Sequence, residues 1–133
     1  MKIELSRLND HLHFEGKNEA GNAVNVDIDG AGMRPMQLLL TAVATCSAFD
    51  VVEILKKQRQ GLEDVKITAT GDREEGKVPR PFTAIHIHFT IIGEVEESKA
   101  ARAVELGVEK YCSVGSSLDP NIKLTHSFEI VKA

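Results

Sequence analysis

Two residues could carry redox chemistry here, Cys46 and Cys112, the only cysteines in the chain. Cys46 lies in TAVATCSAFDVV between Thr45 and Ser47, and Cys112 follows Tyr111 and precedes SVGSS, a small, polar, flexible segment. A thiolate attacks a weak O–O bond or a disulfide, and a sulfenic acid on one cysteine condenses with a second thiol. The two form a candidate redox pair if the fold brings them across a cleft, which spacing alone does not establish. Free cysteines also pack as small hydrophobes, so inert packing stays open for both. Burial in apolar surroundings raises a thiol pKa, so a reactive thiol needs a neighbouring cation or hydrogen-bond donor. Asp50, one helical turn beyond Cys46, would act in the opposite sense if it faced the sulfur.

Histidines supply the other candidates. His11 with His13, and His86 with His88, form two H-x-H pairs, each predicted on one strand face at a separation of about 7 Å. No third ligand is fixed by spacing, so both are read as solvated sheet-face histidines rather than metal ligands. His126 falls on an apolar strand face and is read as a hydrogen-bonded core histidine. Two cysteines cannot build a disulfide framework or a four-cysteine zinc site, and a glycine-rich phosphate loop, a G-x-S-x-G elbow and a C-x-x-C motif are absent. Hydrolase and nucleotide-binding readings have no support, and neither metal nor organic cofactor is expected.

Composition narrows the setting. Lys plus Arg is 16 against 20 for Asp plus Glu, a formal charge of -4, and no basic run could neutralise several phosphates, so nucleic acid is not an expected partner. The start, MKIELSRLND, alternates charged and apolar residues and lacks the continuous apolar stretch of a secretory signal, so a cytoplasmic protein is expected. The longest uncharged run, residues 35–49, is shorter than the roughly 20 residues that span a bilayer, and reads as a buried helix. With 42% hydrophobic residues over 133 positions and no linker, one domain covering 1–133 is expected.

The elements that must position these groups follow from periodicity. Ile3 and Leu5, Leu12 and Phe14, then Val24, Val26 and Ile28 alternate with polar residues, which predicts a meander of short strands with a hairpin at NEAGN. Pro35 suits the first turn of a helix running to about residue 60, closed by Gly61. Its first two thirds are apolar on every face, which predicts burial all round. Strands follow at 65–69 and 85–91, the second with Ile85, Ile87, Phe89 and Ile91 on one face. Then comes a helix from about 97 to 111, with Ala101, Val104, Val108 and Tyr111 as its apolar spacing, and a last strand carrying Ile122, Leu124, His126, Phe128 and Ile130. The class is α+β. A helix without a polar face is hard to cover within one small chain, which predicts a homodimer burying it near the interface.

The strand meander, RPMQLLLTAVATCSAFDVVEILKKQ, a strand pair, and a helix ending EKYCSVGSSLDPNI together resemble the OsmC/Ohr family over nearly the whole chain. The most specific elements are the Pro35-started helix carrying Cys46 ten residues after Met36, and Cys112 at the end of a later helix; DVVEILKKQRQ is nearest to the family's less characterised OsmC-like branch. The resemblance implies an antiparallel meander plus a long buried cysteine-bearing helix and a second βα-β unit, assembled as an intertwined homodimer. It implies a peroxidatic Cys46 and a resolving Cys112 acting on an organic hydroperoxide, with the disulfide reduced by a small or protein dithiol of dihydrolipoyl type. An apolar pocket beside Leu39, Val43 and Phe49 would suit such a substrate. The chain departs from the pattern at one place: active members carry a Glu that orients a catalytic Arg, and here Met36 is followed by Gln37 and Leu38. Arg7 is the one arginine in the amino-terminal strands, and Arg34 lies outside the pattern. That departure supports the alternative of a noncatalytic ligand-binding or redox-sensing protein on the same fold.

Overall fold

The period-two pattern at the amino end folds as three antiparallel strands, β1 (Glu4–Arg7), β2 (His13–Lys17) and β3 (Ala23–Asp27), paired in that order. NEAGN makes the predicted hairpin: the Asn18 carboxamide accepts from the Ala20 and Asn22 N–H groups, and Gly21 takes a φ of 86°, where a side chain would be strained. Beyond β3, buried Asp27 organises the loop by accepting from Asp29 N–H at 3.2 Å and Ala31 N–H at 2.8 Å. These two donors hold its carboxyl below the usual carboxylate range. The computed structural model describes residues 1–133 in two compact units, Met1–Leu39 and Leu40–Ala133, and the strands above belong to the first.

Helix α1 spans Pro35–Lys57. The Gln37 side chain reaches back to the Arg34 N–H at 2.9 Å, as the third residue of a capping box does. The helix closes differently from expectation. Arg59, at φ 55°, takes the left-handed position assigned to a glycine, the Gln60 N–H bonds back to the Leu55 carbonyl, and Gly61 already begins the next strand. Although the uncharged run within it is short, α1 as a whole is long and apolar enough to cross a membrane. Within the single chain the burial of α1 is one-sided. One stripe at i, i+4 spacing, Val43, Ser47, Val51 and Leu55, is fully inaccessible, whereas Phe49 is 69% exposed. A helix apolar on all faces says that each face can be covered, not which surface covers it.

The second unit carries β4 (Gly61–Arg73), β5 (Phe82–Glu94) and β6 (Lys123–Val131), with β5 central, antiparallel to β4 and parallel to β6. Parallel neighbours need a crossover, here α2 (Glu97–Glu105), a π-helical turn (Leu106–Lys110) and α3 (Ser113–Ser116). Ile85, Ile87, Phe89 and Ile91 are at most 1% exposed and form one face of β5, as the alternation predicts. Each such side chain contributes about 1.5–3 kcal/mol relative to exposure. The buried face of α2 is set slightly differently from the reading: Ala100, Ala103, Val104, Gly107 and Val108 are inside, and Ala101 and Tyr111 are exposed. The π turn explains the drift at Tyr111, whose N–H bonds to the Leu106 carbonyl five residues back and so widens the helix by one residue.

Candidate functional site

The buried stripe of α1 contains one polar side chain, Ser47, adjacent to Cys46. Ser47 satisfies itself within the helix by donating to the Val43 carbonyl at 3.0 Å. Gly107 lies against this turn: a Cβ added there would sit 3.0 Å from the Ser47 carbonyl and 3.1 Å from Val51 Cγ2, so the π turn packs on α1 closely enough that a methyl would require its neighbours to give by a few tenths of an ångström. Five residues later the chain leaves the turn and Cys112 takes an extended conformation ahead of α3. Its sulfur accepts the Gly115 N–H at 3.2 Å and directs its own S–H toward the Val43 carbonyl at 3.7 Å. One carbonyl, that of Val43, thus receives both the Ser47 hydroxyl and the Cys112 thiol.

The two cysteines lie within hydrogen-bonding reach of each other, and both are free thiols. They are unlike in access: Cys46 is half-buried and Cys112 is 2% exposed. Burial pushes the Cys112 thiol above its ordinary value. The Gly115 N–H and the Ser47 hydroxyl pull it back down, and the neighbouring Cys46 pushes it up again. None of the groups acting on Cys112 is a cation. The arrangement suits a dithiol in which the accessible sulfur meets a small molecule and the sheltered one follows.

The remaining candidates are placed less coherently. Val43 is fully buried and contributes a carbonyl, not a pocket wall, while Phe49 opens on the exposed side of α1. There Phe49 lines a cavity of about 360 Å³ with Ala48, Val52, Leu62, Val65 and Ile67. Met36 and Leu39 are half-buried in the opening turns of α1, and Arg7 is exposed at the end of β1. Asp50 is half-buried on the turn after Cys46.

His13, His86 and His88 are held by strand neighbours, whereas His11 lies in the loop before β2 and so does not share a strand face with His13, and no three His, Cys, Asp or Glu side chains converge as a metal set. His11 Nδ1 lies 2.9 Å from Asp29, and His13 Nε2 lies 3.0 Å from the Asn25 carboxamide oxygen. On the outer face of β5 and β6, His86 meets Thr125 at 2.7 Å and Ser127 at 2.8 Å, and His88 meets Ser127 at 2.7 Å and Glu129 at 3.4 Å. A carboxylate only accepts, so the proton of His88 belongs on Nε2, Ser127 donates to His88 Nδ1, and His86 Nε2–H donates to Ser127. His126 is not a fully buried histidine: its side chain is 26% exposed with Nε2 3.8 Å from Glu109. The outer rim of a sheet edge leaves it accessible.

Sequence reasoning named both cysteines and passed over Ser47, Gly107 and Gly115. The signal for Ser47 was present, since it is the lone polar residue in the i, i+4 series Val43, Ser47, Val51, Leu55.

Fold and thiol pair together define a class. Residues 28–127 match the OsmC-like protein family, and the chain belongs to that family. It is 40% identical over 125 residues to Protein YhfA of Escherichia coli K12, covering 92% of each chain. A hypothetical protein from Aquifex aeolicus VF5 superposes with a TM-score of 0.88 at 37% identity, over 99% of this chain and 96% of that one. At 17% identity, where only the fold is shared, an organic hydroperoxide resistance protein OsmC from Legionella pneumophila superposes with a TM-score of 0.70 over 97% of both chains.

Proposed function

We propose that this protein is a thiol peroxidase that reduces organic hydroperoxides, with Cys46 as the attacking thiol and Cys112 as the resolving one. The observation that carries the reading is the contact between a half-exposed and a buried free thiol on separate elements. The Cys46 thiolate attacks the outer oxygen of the O–O bond and an alkoxide leaves, to be protonated to the alcohol, giving sulfenic acid on Cys46. Cys112 attacks the Cys46 sulfur, hydroxide leaves, and the disulfide forms. A dithiol then returns both cysteines to the reduced state. The name of the Legionella relative, organic hydroperoxide resistance protein, supports this substrate class.

The working unit in this proposal is a homodimer in the cytoplasm. Ile3 at 55%, Leu5 at 62% and Phe49 at 69% exposure are large apolar side chains that a second copy would cover. Stopped-flow mixing with cumene hydroperoxide tests the chemistry: sulfenate and then disulfide formation at micromolar peroxide is expected, and an unreactive Cys46 would sink the proposal. Light scattering tests the assembly, and a monomer at micromolar concentration would count against it.

A second reading has its own observation. Within the first unit an apolar cleft of about 300 Å³ is lined by Leu12, Phe14, Val26, Ile28 and Pro35, together with Asp27 and Arg34. A protein that binds a small apolar ligand there would show ligand-dependent thermal stabilisation surviving Cys46→Ser.

A further inference from the structure

Ser47 has one hydroxyl proton and two acceptors within reach, the Val43 carbonyl at 3.0 Å and the Cys112 sulfur. While Cys112 is a neutral thiol the carbonyl is the better acceptor, and the proton goes there. A thiolate reverses that order, because a hydrogen bond to a charged acceptor is worth roughly twice one to a neutral acceptor. The hydroxyl is 0% exposed, so no water competes for the role, and the Gly115 N–H already points at the same sulfur from 3.2 Å. Of the two sulfurs, Cys46 is the one that a reagent from solvent can reach.

We propose that Ser47 turns its hydroxyl from the Val43 carbonyl to the Cys112 sulfur whenever that sulfur carries charge. Together with the Gly115 N–H it makes Cys112 the departing sulfur when the Cys46–Cys112 disulfide is reduced, so the reductant enters at Cys46. The inference rests on the dithiol reading above and adds the polarity of its reductive half. A thiolate of the reductant attacks Cys46 Sγ along the S–S axis. A new S–S bond forms to Cys46, the old one breaks, and its electron pair stays on Cys112, stabilised by the two donors until it takes a proton from solvent. With a dithiol, the second reductant thiolate then attacks the reductant's own sulfur in the mixed disulfide, releasing Cys46 as thiolate and the reductant as a cyclic disulfide. Two electrons pass from reductant to protein. Ser47 touches a reacting atom and so is a catalytic residue of this half-reaction.

The test starts from disulfide made with diamide, without peroxide, so it stands apart from whether Cys46 reacts with hydroperoxides. Oxidised wild-type protein is mixed with 2-mercaptoethanol, quenched in acid and mapped by mass spectrometry; the mixed disulfide is expected on Cys46. An adduct on Cys112, or failure of diamide to join the two thiols, overturns the proposal. In the second arm, reduction by dithiothreitol is expected to slow about tenfold in Ser47→Ala, the value of one hydrogen bond to a charged group, and to recover in Ser47→Thr, which keeps the hydroxyl. A purely structural serine predicts the opposite sign, since a loosened site admits the reductant faster; an equal or faster rate in Ser47→Ala overturns the assignment. The adduct position in wild type decides the matter even if that variant fails to fold.

Discussion

The thiol contact and the outer face of β5 and β6 both gather polar side chains from separate elements, and they treat them oppositely. On the sheet face, Thr125, His86, Ser127, His88 and Glu129 form a directional chain in which each histidine nitrogen has a partner. Around Cys112, two donors and one shared carbonyl meet a sulfur inside an otherwise apolar layer, and the nearest titratable neighbour is another thiol. A satisfied surface network has little to gain from reacting. A buried thiol held above its ordinary pKa, with donors that favour its anion, has a charge state that chemistry can exploit. The contrast is why the proposed chemistry is placed at the region with fewer ionisable groups.

The largest expected effect breaks that contrast at its centre: Cys46→Ser should lower peroxide turnover by at least about a thousandfold, measured as hydroperoxide consumption with a dithiol reductant. Gly107→Ala should come next. Its methyl would press on the Ser47 carbonyl and Val51, at a cost of about 1–3 kcal/mol in urea unfolding, and should slow disulfide closure by displacing the turn that delivers Cys112. Ser127→Ala sharpens the comparison from the other side. Removing the hydroxyl shared by two histidines should cost about 1 kcal/mol of stability, while the rate of Cys46 oxidation changes at most about threefold.

The smallest effect belongs to Asp27→Asn and depends on pH. Since the folded carboxyl is held low by the Ala31 and Asp29 N–H groups, its stabilising contribution is complete above the unfolded value of about 3.9 and disappears as pH falls through the folded value. The urea midpoints of variant and wild type should therefore differ at pH 7 and converge in strong acid. A difference that persists undiminished would show that the amide substitution acts through packing.

Much of this was legible in the sequence. Alternation located the buried face of β5 correctly, because Ile85, Ile87, Phe89 and Ile91 contrast sharply with His86 and His88 between them. Pro35 announced α1, and the two cysteines singled out as a candidate pair are neighbours in the fold. What periodicity could not show was the choice among apolar faces of α1, since Val43 and Phe49 are equally hydrophobic and only one is inside. Nor could it show the π turn, where ordinary helical spacing extended to Tyr111 assigns the wrong residues to the core. Ser47 stands out as the lone polar residue of its i, i+4 series, but its role does not: a serine beside a cysteine reads as a neutral flank until the partner sulfur is in place.

The wide turn at Leu106–Lys110 also sets a rule for how the polypeptide can change length. A helical residue rotates the chain by about 100° and advances it about 1.5 Å, so deleting one position between Val104 and Cys112 would swing the second sulfur away from the first. Insertions before Glu97 or after Ser116 leave that phase untouched. Evolution of this scaffold is thus free to lengthen the ends of the crossover while its middle is held to a fixed count.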